Sequence, residues 1–291
     1  MPWFNALIGL VAVIGVGVML YPTVASWVTQ YYQSQIIDQV DDRIAQQPPS
    51  QRERELQRAR DYNDALVGGS IVVAPDSNVP TASRAAGEND NYYDLLNATA
   101  DGIMGRLRIS AIGVDLPIYH GTDDLTLTKG VGHLHGTSLP VGGASQHAVL
   151  TAHRGYPSAT LFNDLHRLRP GDTFTVEIFG EVATYRVIET HTVLPEETQA
   201  IAPRYGEDLM TLVTCTPLGV NTHRELVTGE RLTPTPAEDV SRAGRRPEIP
   251  GFPWWVVAIA AVVVGYAGFV TVSGRAAARR QQQNRAGSGP A

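Results

Sequence analysis

The chain has 291 residues, 43% of them hydrophobic and 18% charged, enough for one catalytic-sized domain with attached segments. A formal charge of −6, with no Lys/Arg cluster interleaved with aromatics in mid-chain, argues against a nucleic-acid partner. The single cysteine, Cys215, excludes a disulfide framework within the monomer and a multi-cysteine zinc site.

Residues Trp3 to Leu20 carry no charged side chain, and neither do Trp254 to Val272. About twenty apolar residues in a helix cross a hydrocarbon core of about 30 Å, so both stretches are long enough to span. Trp254 and Trp255 sit at one end of the second, where indole rings favour the interface. Arg275, Arg279, Arg280 and Arg285 follow it, a positive excess expected to stay in the cytoplasm, which places the middle of the chain outside. The first stretch lacks a positive n-region, so an uncleaved anchor is expected rather than a signal peptide cut near Ala25 and Ser26.

Between the anchors, Ile36, Ile37, Val40 and Ile44 recur at helical spacing and predict a helix over Gln33 to Ala45, broken at Pro48 and Pro49. Gln51 to Leu66 reads as a second helix ended by Gly68-Gly69, residues 70–92 as a long loop, and Asp94 to Ala100 as a short helix. From Met104 the texture changes to short β-prone runs separated by Gly and Pro. The predicted strands are Gly105–Ile109, Val114–Tyr119, Ala148–Ala152, Thr173–Phe179, Val182–Thr192, Asp208–Thr214 and Glu225–Thr228, with a helix or helical turn between Ser158 and Leu168. Seven or more strands at such spacing predict a β-barrel or sandwich.

The boundaries that follow are an anchor over 1–30, helices and a loop over 31–100, a catalytic β-domain over 101–233, a linker over 234–253, a second membrane helix over 254–273 and a basic cytoplasmic tail over 274–291.

An exported cysteine is normally paired, so a lone one invites the reading that its reactivity is used. Cys215 ends a hydrophobic run in Thr-Cys-Thr-Pro, His153 follows Ala-Val-Leu-Thr-Ala, and Arg224 opens Glu-Leu-Val-Thr. All three fall at strand ends, where a side chain is held by a sheet yet open to substrate. A thiolate is a strong nucleophile, an imidazole can take its proton and pass it to a leaving amine, and a guanidinium can stabilise an oxyanion but cannot act as a base. Thr214 either donates to that oxyanion or simply belongs to the strand.

At these residues the chain resembles a known family. Val149-Leu-Thr-Ala-His-Arg-Gly155, Thr211-Leu-Val-Thr-Cys-Thr-Pro217 and Asn221-Thr-His-Arg224 resemble the signature segments of sortases. Gly132-His-Leu-His-Gly-Thr-Ser-Leu-Pro-Val-Gly-Gly143, Ile118-Tyr-His-Gly121 and the carboxy-terminal membrane helix are similar to the class C, pilin-polymerising group in particular. The resemblance implies a mainly β fold: a closed eight-stranded sortase β-barrel with short helices, an N-terminal helical segment and flanking transmembrane helices. It implies catalysis by His153, Cys215 and Arg224: an LPXTG-type sorting signal is cut, held as a thioester on Cys215 and passed to a Lys amine of a pilin subunit.

The expected partners are pilin or surface proteins bearing that signal, an acceptor amine from pilin Lys or a cell-wall precursor, and the membrane. The expected place is the cell membrane, crossed twice, with the catalytic domain extracellular. Class C members also carry a lid with an Asp-Pro-aromatic motif. Here Ala74-Pro75-Asp76-Ser77-Asn78 offers Asp76 alone as candidate lid carboxylate.

Alternatives are a housekeeping sortase that attaches proteins to the wall precursor, a thiol hydrolase, and a non-enzymatic surface module with Cys215 in its core. No cofactor and no metal are expected: His133 and His135 form an H-x-H pair without a third ligand at useful spacing. His120, His147, His166, His191 and His223 read as surface or structural residues.

Overall fold

The computed structural model describes residues 2–66, 92–99, 101–247 and 249–286. They fall into two units, Met1–Val28 with Gly251–Ala291, and Thr29–Pro250. The candidate lid residue Asp76 lies outside the described residues.

The first unit holds the apolar ends of two helices, α1 (Pro2–Gln46) and the carboxy-terminal helix Trp254–Ala286. Each contains a stretch long and apolar enough to cross a membrane, with mean hydropathy 2.2 and no burial among the described residues, which fits membrane anchoring. Trp27 donates its indole N–H to the Gly251 carbonyl at 2.8 Å and meets Trp255 edge to face at 5.9 Å. Indoles paired in this way suit the polar margin of a bilayer.

The second unit is a closed eight-stranded barrel. Its strands are β1 (Ile103–Ile109), β2 (Val114–His120), β3 (Val131–His133), β4 (Gln146–Thr151), β5 (Thr173–Ile178), β6 (Glu181–Val193), β7 (Asp208–Thr216) and β8 (His223–Arg231). Their order round the barrel is β1-β2-β3-β4-β7-β8-β6-β5. Pairings β2–β3 and β4–β7 are parallel; the others are antiparallel. Closure leaves no unpaired strand edge, which short β-prone runs in water otherwise expose.

Alternation of side chains gives the wall two apolar faces. Leu107, Leu116, Leu150, Phe174, Leu212 and Val227 belong to the main core. Val149, Val213 and Leu226, from the alternate positions of β4, β7 and β8, join Leu134 and Ile201 in a second, smaller cluster. Close approach of β1 to β5 requires Gly105, because a Cβ there would collide with the Glu177 carbonyl.

All seven expected strands are present, with ends shifted by a few residues. β3 was not anticipated: three residues flanked by Gly130 are too short for periodicity to register. The helix expected over Asp94 to Ala100 is absent from the described residues there. A 3₁₀ turn, Tyr92–Asp94, stands at its start, and Leu96 takes a φ of 52°, which ends helical winding. Between Ser158 and Leu168 there is one 3₁₀ turn, Leu165–Arg167. The helix expected from Gln33 is continuous with the apolar stretch, since α1 runs unbroken to Gln46 with Pro22 inside it.

In the second unit, α1 buries Ile37, Val40 and Ile44, and α2 (Pro49–Leu66) buries Leu56, Ala59 and Asn63. Buried Arg106 on β1 grips both oxygens of Asp115 at 2.6 Å and reaches Asp41 of α1 at 3.3 Å. Asn63 acts as a two-point clasp: its amide donates to the Leu139 carbonyl at 3.0 Å and accepts from the Leu139 N–H at 2.6 Å. Asn63→Ala should orphan both backbone groups at about 1–3 kcal/mol each and lower the melting temperature. Hydrogen exchange should show α2 opening before the barrel. An unchanged melting curve would mean the clasp does not hold α2.

Candidate active site

β7 lies between β4 and β8, and that position assembles the site. β4 and β7 run parallel with Thr151 opposite Val213, so their carboxy-terminal ends lie at one end of the barrel. The Ala152 N–H continues the ladder to the Val213 carbonyl at 3.2 Å, and His153 follows at once. β8 runs back antiparallel and places Arg224 directly opposite Cys215. Directly opposed residues in a sheet project from the same face, so the thiol and the guanidinium share one side of the wall. All three residues expected from the sequence thus gather at one barrel end.

Each is fixed by its surroundings. Arg224 is buried, and its Nη1 donates to the carbonyls of Asn221 at 3.0 Å and His223 at 3.1 Å, which folds the β7–β8 turn round the guanidinium. His153 stacks on Tyr156 at 5.8 Å with the rings 10° apart, and its carbonyl accepts from the Phe162 N–H at 3.1 Å. Gly155 has φ +75°, and a Cβ there would strike Leu218, so the turn after His153 requires glycine. Its N–H donates to Asn163 at 2.6 Å. Thr214 is buried and donates its hydroxyl to the Ala152 carbonyl at 2.8 Å. That bond ties the residue before the cysteine to the residue before the histidine.

Burial pushes the Cys215 thiol above its ordinary 9.0, and the charge of Arg224 pulls it back less strongly. Burial likewise holds His153 below the ordinary 6.5, with Asp124 acting weakly the other way. Thiol and imidazole are therefore both mainly neutral at pH 7, and the thiolate with imidazolium is a minor form.

Beside Arg224 opens a groove lined by Leu134, Val149, Val193, Ile201, Val213 and Leu226. One wall comes from the β6–β7 connection around Ile201, which the sequence did not single out. That segment has no periodicity, and only its proximity in space to β4 and β7 marks it.

The other candidates lie apart from this chemistry. His133 is fully buried, accepts from the Tyr92 hydroxyl at 2.9 Å through Nδ1 and donates to the Ser138 carbonyl at 2.8 Å through Nε2. Desolvation lowers its pKa to about 3. His135 stacks on Tyr92 at 4.3 Å. His120 and His147 are buried and hydrogen-bonded, whereas His166 and His191 are exposed. Among the described residues, no group of three or more His, Cys, Asp or Glu side chains is placed to hold a metal ion.

Comparison with known proteins places these residues in a family. Residues 107–232 match the sortase domain. Sortase D of Bacillus subtilis is 32% identical over 133 residues, 44% of this chain and 64% of that protein. Less than two thirds of that relative's length is therefore spanned. The solved structure of sortase C-1 from Actinomyces oris is 44% identical, with a TM-score of 0.58 over 63% of this chain and 99% of that one. Sortase C of Streptococcus pneumoniae, whose crystal structure was described for its catalysis and pilin substrate specificity, is 34% identical. Its TM-score is 0.60 over 68% of this chain and 96% of that one. Identity and coverage at this level, on a closed barrel of the same kind, mean that the chain belongs to the sortase family and has class C sortases among its structural neighbours.

Proposed function

We propose that the chain is a membrane-anchored cysteine transpeptidase that joins sorting-signal proteins to an amine, with a pilin Lys as acceptor. The observation that carries this reading is the register of Cys215 opposite Arg224, with His153 at the end of the parallel neighbour β4. The groove beside Arg224 is lined by apolar side chains, a lining compatible in character with the leucine of an LPXTG-type signal. The pilin assignment is supported by the class C neighbours, one of which was described for pilin specificity. The arginines after the second apolar helix support an extracellular barrel.

In the acylation step the Cys215 Sγ attacks the threonine carbonyl carbon, and its proton resides on His153. Arg224 donates to the developing oxyanion. Collapse breaks the C–N bond, and the imidazolium protonates the leaving amine. A thioester remains. In the second step a neutral Lys amine attacks it, His153 takes the amine proton, and the C–S bond breaks. The proton returns to Cys215 as the amide forms.

The pKa directions fix the pH dependence. Below the lowered His153 value the pair gains a second proton and no thiolate forms. Above the raised Cys215 value no acid remains for the leaving group. For the detergent-solubilised full chain, kcat/KM should form a broad bell whose acid limb lies below 6.5 and whose alkaline limb lies above 9.0. An alkaline limb well below 9.0 would mean a preformed thiolate.

Products test the activity itself. With an LPXTG-type peptide and a Lys-bearing pilin peptide, the protein should yield a new amide joining the two. Cys215→Ala should abolish it, and His153→Ala should lose at least about a hundredfold in rate. Hydrolysed peptide alone would point to a thiol hydrolase, and joining only to a wall-peptide amine would point to a housekeeping role.

A further inference from the structure

The residue that follows each of the three catalytic positions belongs to a second constellation. Arg154 comes after His153, Thr216 after Cys215, and Glu225 after Arg224. Arg154 Nη1 donates to Glu225 Oε2 at 2.9 Å and to the Thr216 hydroxyl at 3.4 Å. Its Nη2 donates to His166 Nδ1 at 3.1 Å. The Arg154 and Glu225 side chains are each 14% exposed, so this is a largely desolvated ion pair rather than a surface contact.

Strand geometry explains the coincidence. Successive side chains of a strand point to opposite faces. Cys215 stands opposite Arg224, so both occupy one face, whereas Thr214 stands opposite Glu225 and Thr216 opposite His223 on the other. The chemistry is on the first face. On the second, two bonds cross from β7 and β8 to the segment that carries His153. One is the Thr214 hydroxyl to the Ala152 carbonyl, just before the histidine; the other is the Arg154–Glu225 pair, just after it.

His153 itself lies beyond the last residue of β4, where the ladder no longer fixes it. Two constraints bracketing one residue limit how far its ring can move relative to the thiol.

We propose that Arg154 and Glu225 are positioning residues for the acyl-transfer reaction. They clamp the His153 segment from the reverse face of β7 and β8, so that the imidazole stays aimed at the thiol and at the leaving amine. Neither touches substrate. The clamp acts on the geometry of the segment that carries His153. Guanidinium matters here because its planar fork reaches Glu225 and His166 together, which an ammonium cannot do.

This inference rests on the proposed transpeptidase reading, and the test separates the two. Single-turnover acylation of Cys215 is measured at saturating peptide, with the full chain and active sites counted by thiol labelling. Two donors are compared: the ordinary amide peptide, whose leaving amine needs a proton, and an activated-ester peptide, whose leaving group does not. Arg154→Met and Glu225→Met should each slow the amide reaction by about 10- to 100-fold. Their double variant should lose no more than either alone.

The ester rate should fall clearly less than the amide rate, because the ester needs the imidazole only for the thiol proton, and KM should stay within about threefold of the parent. Glu225→Gln, which keeps shape and an acceptor oxygen, supplies the same comparison if a methionine variant fails to fold. Equal losses on amide and ester, additive losses in the double variant, or a parental amide rate in Glu225→Gln and the single variants would overturn the clamp. If the parent itself forms no thioester, the transpeptidase reading fails and the clamp falls with it. A parental thioester with unimpaired variants removes the clamp alone.

Discussion

Everything at this site depends on the neighbours of β7. A parallel partner on one side and an antiparallel partner on the other mean that β4 ends, β7 ends and β8 begins at the same rim. Shifting β7 by one residue against either neighbour would turn Cys215 to the opposite face, away from Arg224, because side chains alternate with a period of two. The register is protected by packing on both faces. Leu212 and Val227 are locked in the main core while Val213 and Leu226 fill the smaller outer cluster, so a slipped strand would misplace both sets at once. Closure of the barrel adds a further constraint, since every strand has two partners.

The same burial that secures the register sets the electrostatics. Cys215 and His153 are both driven towards their neutral forms, the thiol upward and the imidazole downward. A mostly neutral pair protects the thiol from oxidation, which proceeds through the thiolate. In the proposed mechanism, nucleophilicity then depends on bringing thiol, imidazole and guanidinium into alignment. That places the burden on geometry, and it gives the bonds around Ala152, Arg154 and Gly155 their importance.

Much of the barrel was legible in the sequence because its longer strands are written in β-branched and aliphatic residues between Gly and Pro turns. Val182–Thr192 and Asp208–Thr214 were recognisable on that basis, whereas Val131–His133 was not, being a three-residue bridge. Cys215 and Arg224 could be placed at strand ends, and only six residues separate β7 from β8, so a hairpin between them follows from chain length. The juxtaposition with His153 could not be read in that way. It depends on a parallel pairing between strands more than fifty residues apart in the chain, which no local pattern encodes. Asp94 to Ala100 failed for a different reason. Its polar and apolar residues suit a helix, yet Tyr92 is drawn into the His133 and His135 cluster, and Leu96 turns to positive φ. Tertiary contacts outweighed propensity there.

The most direct measurement is the intact mass and peptide map of the full chain after brief mixing with a sorting-signal peptide at acid quench. The result expected from this register is an adduct with the mass of the cleaved peptide, carried by Cys215 as a hydroxylamine-labile thioester. It should diminish sharply when Arg224 is replaced by Lys, whose charge is the same but whose donors cannot form the same fork. Full adduct formation by that variant, or a cleaved peptide with no adduct on Cys215, would contradict an acyl-transfer site built by placing Cys215 opposite Arg224.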